Sequence, residues 1–107
     1  MKQGTLPGFK EFTSTETIGR KDDDGKLQYS LIPPSTTLAL AKVLTFGANK
    51  YEANSWKHVP NAKQRYLDAA MRHLESYRSG EILDKESDLS HLSHLLTNIA
   101  FLIDLEA

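Results

Sequence analysis

From residue 89 to residue 103 the chain places apolar residues in steps of three and four. Leu89, Leu92, Leu96, Ile99 and Ile103 therefore share one face of a helix. A second line, Asp88, His91, His94 and Asn98, runs about a quarter turn away along the same segment. The pattern predicts a helix whose apolar stripe enters a core and whose polar line lies at the edge of that core. Polar groups held in such a place can bind a metal or a polar ligand. The segment points to a site as well as to a scaffold.

Length and composition narrow the class. A chain of 107 residues, 39% hydrophobic and 25% charged, reads as one globular domain. Its formal charge of −1 argues against stable nucleic-acid binding, which calls for a basic face. No apolar run is long enough to span a bilayer and no secretory pattern is present, so no membrane association is expected and a cytoplasmic location is the plain reading. The absence of cysteine excludes a disulfide framework, a thiol nucleophile and a zinc–thiolate site. An ordered part this small favours burial against a second subunit, hence a homo-oligomer.

Residues 1–18 mix Gly4, Pro7 and Gly8 with polar residues and show no period, which reads as a flexible N-terminal arm. Residues 19–107 read as a single α-helical domain. Gly19 to Lys26 is charged and turn-prone, and Tyr29 to Pro34 reads as extended chain stopped by two prolines. A first helix is expected to start near Ser35 or Thr36, both good N-cap types, and to bury Leu40, Val43, Leu44, Gly47, Ala48 and Tyr51, with close packing at Gly47. A second begins after Asn61 and Gln64, spaced as a capping-box variant, carries Tyr66, Ala70, His73 and Tyr77 on one side, and ends at Gly80. The expected fold is all-α: three main helices in an antiparallel bundle with an extended N-terminal arm, completed by oligomerisation.

His73 on the second helix and Asp84, Asp88, His91 and His94 at or after the turn into the third would converge in an antiparallel pair. Carboxylates suit Mg²⁺ and Mn²⁺; imidazole suits Mn²⁺ and later transition ions. Each member also has a plainer role open to it. His73 can be a hydrogen-bonded core residue, and Asp84 and Ser87 can cap the third helix. Lys50, Tyr51 and Trp56 form an aromatic–basic cluster that either stacks a base or packs the loop. No serine-nucleophile elbow, Walker loop or dinucleotide fingerprint occurs.

A resemblance adds to this reading. Gly19 to Asp23, Lys26, Leu31 to Pro34, Val43 to Tyr51, Asn54 to Trp56, Arg72-His73 and Ser90 to His94 occur in that order. They resemble the phage dATP/dGTP diphosphohydrolase N-terminal domain family, linked to the MazG-like all-α nucleotide pyrophosphohydrolases. The resemblance implies an oligomeric helical enzyme that cleaves a purine deoxynucleoside triphosphate to the monophosphate and pyrophosphate with Mg²⁺ or Mn²⁺, in a phage-infected bacterial host. MazG-like enzymes hold metal with Glu-x-x-Glu on one helix and Glu-x-x-Asp on the next. Here the corresponding stretches run from Arg72 to Glu75 and from Asp88 to His91, so only Glu75 and Asp88 keep acidic character. On this reading His73, Asp84, Asp88 and His91 surround the metal, and Glu75 and His91 serve the catalytic centre. Lys42, Lys50 and Arg72 contact phosphate, Tyr51 and Trp56 contact the base, and Asn98 positions the neighbourhood of His91 or reads the ligand. Two other readings stay open: a nucleotide-binding protein that sequesters its ligand without turnover, and a structural helical oligomer.

Overall fold

The computed structural model describes residues 17–107. Among them are three α-helices and no strand: α1 (Pro34–Lys50), α2 (Ala62–Arg78) and α3 (His91–Glu106). Short 3₁₀ turns at Tyr29–Leu31 and Ser55–His58 precede α1 and α2. The fold is all-α. No helix among the described residues is long and apolar enough to cross a membrane. The expected N-terminal arm falls almost wholly outside the described residues; Thr17 and Ile18, its last two positions, are exposed.

Both α1 and α2 pack on α3, α2 the more extensively. Tyr66, near the start of α2, meets Phe101 late in α3, whereas His73 further along α2 meets His91 and His94 at the start of α3. The contacts thus run in opposite order along the two helices.

The helix ends show local chemistry at work. Helix α1 opens on Pro34, not on the expected Ser35 or Thr36, with Pro33 as an extended N-cap. Proline suits that first position because its fixed φ is helical and its missing N–H would have had no partner there. The segment before it is likewise not simply extended, since Tyr29–Leu31 makes a 3₁₀ turn. Asn61 does precede α2, but with left-handed backbone (φ 55) and no side-chain cap, so the expected capping box does not form. Gly80 ends α2 as anticipated. At φ 106 it lets its own amide reach the Tyr77 carbonyl (3.0 Å) and the Glu81 amide reach the Ser76 carbonyl (3.0 Å). Helix α3 is capped by Ser90, whose hydroxyl accepts from the Leu92 amide (3.1 Å), and not by Asp84 or Ser87.

Burial departs from expectation on α3. Of the polar line, His91 and Asn98 are buried, His94 is half-buried and Asp88 is exposed, with Thr97 beside them also buried. Of the apolar stripe, Leu89 and Leu96 are half-buried while Leu92, Ile99 and Ile103 are 42–63% exposed. The buried hydrophobic residues among those described are Val43 and Ala70. Leu44 on α1 and Tyr51 just past its end are exposed rather than part of a buried stripe, because α1 has only α3 to pack against at any length. Gly47 has no neighbour within 4 Å of where a Cβ would stand, so no close packing explains it.

The two helical glycine positions therefore have opposite expected behaviour. Gly47→Ala raises the melting temperature, by the equivalent of about 0.5–1 kcal/mol, because it relieves an entropic cost in open space. Gly80→Ala lowers it by at least about 1 kcal/mol through backbone strain at positive φ. Thermal denaturation followed by circular dichroism reads both.

Candidate metal centre and cleft

The loop between α2 and α3, residues 79–90, is held by its own hydrogen bonds. Ile82 accepts from the His91 amide (2.9 Å), and the Asp84 amide donates to Leu89 (2.8 Å). One oxygen of the Asp84 carboxylate accepts from both the amide (2.9 Å) and the hydroxyl (3.0 Å) of Ser87. These bonds bring Glu81 and Asp84 against the first turn of α3.

There a histidine cluster forms. His73 Nδ1 and His91 Nδ1 are 2.8 Å apart, and the His73 ring stacks on His94 with centroids 4.6 Å apart. His91 Nε2 lies 2.6 Å from Glu81 Oε1, and His94 Nε2 lies 2.6 Å from Ser87 Oγ. Among the described residues, ligand-type atoms of His73, Asp84 and His91 lie within 4.8 Å of one another. Asp88 is not of this group: it is exposed, with left-handed backbone (φ 61), before α3 begins.

Hydrogen-bond logic assigns the protons on His94. The ionised Asp84 carboxylate only accepts, so the Ser87 hydroxyl donates to it. Ser87 Oγ then has lone pairs to receive the Leu89 amide (3.2 Å) and an Nε2–H from His94. Neutral His94 consequently carries its proton on Nε2 and leaves Nδ1 as an acceptor.

Electrostatics agrees with neutral rings. Burial pushes the His73 pKa down, and neighbouring His94 and His91 add to this. Burial also lowers that of His94, against the opposing pull of Asp84. For Asp84 burial works upward, but the two Ser87 hydrogen bonds, helped by His94 and His73, outweigh it and hold the carboxyl below its usual range. Two imidazole nitrogens and one ionised carboxylate form a donor set that fits a divalent ion.

His73, Asp84 and His94 of the cluster lie in the wall of an open cleft of about 1450 Å³ formed by α1, the α1–α2 loop, α2 and α3. Lys50, Tyr51, Trp56, Arg72, His73, Asp84, His94 and Asn98 line it; Lys42, Glu75, Asp88 and the buried His91 do not. Lys42 is exposed elsewhere on α1, and Glu75 is exposed and paired with Arg78 (2.8 Å). Trp56 stacks on Phe101 with centroids 4.3 Å apart, and its carbonyl accepts from the Tyr66 hydroxyl (2.7 Å). Packing thus occupies part of that ring. Tyr51 is 72% exposed, with the Lys50 ammonium 4.9 Å from its ring centroid. Lys50 also pairs with Glu86 across the cleft. Asn98 donates to the His94 carbonyl (2.8 Å), one helical turn back.

Glu81, Ser87, Glu86 and Phe101 escaped the sequence reading as site or cleft residues. Glu81 follows a helix-ending glycine, where an acidic residue carries no signal, and Phe101 continues the polar line of α3 one turn past Asn98 but carries no polar group.

A family described as dATP/dGTP diphosphohydrolase, N-terminal, matches residues 16–107. The chain belongs to this family. It is similar to a dATP/dGTP diphosphohydrolase of Salmonella phage PMBT28, 34% identical over 84 residues, which is 78% of this chain and 28% of that relative. No solved structure matches. The family member described here therefore spans well under a third of that relative's length.

Stability should depend on the histidines. Because the folded pKa values of His73 and His94 lie below the ordinary 6.5, the unfolded chain binds protons that the folded one resists. This contribution is present above about pH 6.5 and is lost as the pH falls through and below that value. Melting temperature measured between about pH 7.5 and 5 should fall with acid, and His94→Gln should flatten the slope.

Proposed function

We propose that this chain hydrolyses purine deoxynucleoside triphosphates, dATP or dGTP, to the monophosphate and pyrophosphate in a metal-dependent reaction. One observation carries the reading: His73 and Asp84, two members of a His–Asp–His donor set completed by the buried His91, stand in the wall of a cleft that also presents Lys50, Arg72 and an exposed Tyr51. The phage relative is named for hydrolysis of the same nucleotides. His73, Asp84 and His91 would hold the ion, of which Mg²⁺ and Mn²⁺ are the expected kinds. When bound, it would supply charge neutralisation of the triphosphate and a lowered pKa for a water molecule.

The chain's own residues account for the rest. Arg72, which has no ion-pair partner among the described residues, offers its guanidinium to phosphate oxygens. Lys50 reaches phosphate by exchanging Glu86 for it; that pairing keeps the ammonium in the cleft before substrate arrives. Tyr51 offers an open ring face to the purine. Water attacks the α-phosphorus, the bond to the bridging oxygen breaks, and pyrophosphate departs with its charge met by lysine and arginine.

A second reading, nucleotide capture without turnover, is favoured by the presence of only one carboxylate in the donor set. Pyrophosphate release from each of the four deoxynucleoside triphosphates, with Mg²⁺, Mn²⁺ or a chelator, separates the two. Metal-dependent release greatest with dATP or dGTP is expected. A nucleotide-induced rise in melting temperature without any release would establish capture instead. Arg72→Ala should weaken nucleotide affinity by about tenfold to a hundredfold, the worth of a charge-assisted hydrogen bond.

We also propose that the protein works as a homodimer. Leu67, Met71 and Leu74 each follow an inward-facing residue of α2 (Tyr66, Ala70, His73) by one position, and Leu92 and Ile99 follow His91 and Asn98 in the same way. Since contacts run in opposite order along α2 and α3, these equal offsets put both apolar rows on the same side of the pair. Ile103 extends the α3 row. A second copy presenting the same face would bury both. Light scattering should give twice the 12.0 kDa chain mass, and Ile99→Glu should return it to one. A monomeric wild-type protein at micromolar concentration would refute the dimer.

A further inference from the structure

We infer that Glu81 is the outer carboxylate that fixes the proton and ring orientation of His91, and that this makes the His73–Asp84–His91 trio a site for imidazole-preferring divalent ions over Mg²⁺. The inference rests on the metal-centre reading above and deepens it.

The proton on His91 follows from its partner. Glu81 is acceptor-only when ionised and lies 2.6 Å from Nε2, so Nε2 bears hydrogen. In the neutral ring the lone pair then sits on Nδ1, the atom that faces His73. Backbone bonds hold both members of the pair. The Glu81 amide is bound to Ser76, and the His91 amide to Ile82 next to Glu81. The His91 side chain is 4% exposed, so it has little room to turn over. Lys85 lies 3.7 Å from the other Glu81 oxygen.

Distances agree with shared coordination. With metal–nitrogen bonds of about 2.0–2.1 Å, two nitrogens on one ion are about 3.0–3.4 Å apart, so the 2.8 Å between the Nδ1 atoms needs only slight opening. Two nitrogen donors and one carboxylate oxygen suit Mn²⁺, Co²⁺ and later ions, whereas Mg²⁺ prefers oxygen and retained water. A carboxylate behind a metal-binding histidine selects the tautomer and strengthens the ligand. The competing role for the same atoms is a plain hydrogen-bond chain, with His73 donating to His91 and no ion.

The test is metal binding by the full chain without nucleotide. Co²⁺ is titrated by its visible absorption and Mg²⁺ by calorimetry, on the wild type, Glu81→Leu and Glu81→Gln. Nitrogen-15 spectra of the metal-free proteins report the His91 tautomer. Co²⁺ should bind at least about 100-fold more tightly than Mg²⁺. Glu81→Leu should lose about 10- to 100-fold in Co²⁺ affinity and the single Nε2–H tautomer, while Glu81→Gln, which still accepts from Nε2, should keep the tautomer and lose less. Unchanged Co²⁺ affinity in Glu81→Leu, with the variant folded by circular dichroism, overturns the inference and leaves the metal centre standing. Equal affinity for Mg²⁺ and Co²⁺ overturns the selectivity. Absence of any ion binding by the wild type overturns the metal centre itself, and the hydrogen-bond chain remains.

Discussion

The contact between α2 and α3 depends on a line of polar bonds, Glu81 to His91 to His73, in a position where small helical proteins ordinarily place leucine. Burying an imidazole nitrogen is costly unless it finds a partner. Here that condition is met: no buried side-chain nitrogen or oxygen among the described residues lacks a hydrogen bond. Thr97 and Asn98 contribute by bonding carbonyls one turn back on their own helix (2.8 Å each), which satisfies them without help from α2. A polar interior of this kind specifies geometry more than it adds stability. It fixes which residues of α2 face which residues of α3, and it delivers three ligand-type atoms to one point.

The α2–α3 loop is subordinate to the same requirement. Gly80 turns the chain so that Glu81 comes back toward α3, and the Leu83–Ser90 bridge keeps the two sides of the loop together. Asp84 is held by Ser87, and Ser87 in turn holds His94. The carboxylate, hydroxyl and imidazole thus share one hydrogen-bond arrangement, with the Asp84 charge kept ionised by it. Removing one member leaves the others with unmet donors or acceptors, so mutational effects within the group will not add.

Much of the fold was legible because its signals are local. Gly80 and Ser90 act through chemistry contained within a few residues, and the three-four periodicity of α1, α2 and α3 needs no tertiary knowledge. What periodicity does not determine is which of two adjacent lines on a helix faces inward. Leucine and isoleucine on α3 outweighed histidine by hydrophobicity, yet the partner on α2 offers Tyr66, Ala70 and His73, a surface that hydrogen bonds and stacks. The convergence of His73, Asp84 and His91 was readable from helical spacing plus a turn. The exclusion of Asp88 was not, because it follows from a left-handed residue inside an irregular loop. Glu81 was hidden for the same reason: its role comes from the path of the loop and not from a pattern.

The inverted α3 bears on the dimer and on the metal centre together. If His91 and Asn98 face α2, then Leu92, Ile99 and Ile103 must face elsewhere, and among the described residues they stay 42–63% exposed. A polar interior suited to ligand chemistry and an apolar exterior suited to self-association are thus two sides of one helical pattern. Turning α3 by about a quarter turn would bury the leucines and remove the histidines from His73 at the same time. Covering the apolar rows with a second copy penalises that rotation, since the rotated helix would present polar residues to the partner. In this arrangement the interface would act as a constraint on ligand geometry even though it contributes no ligand atom.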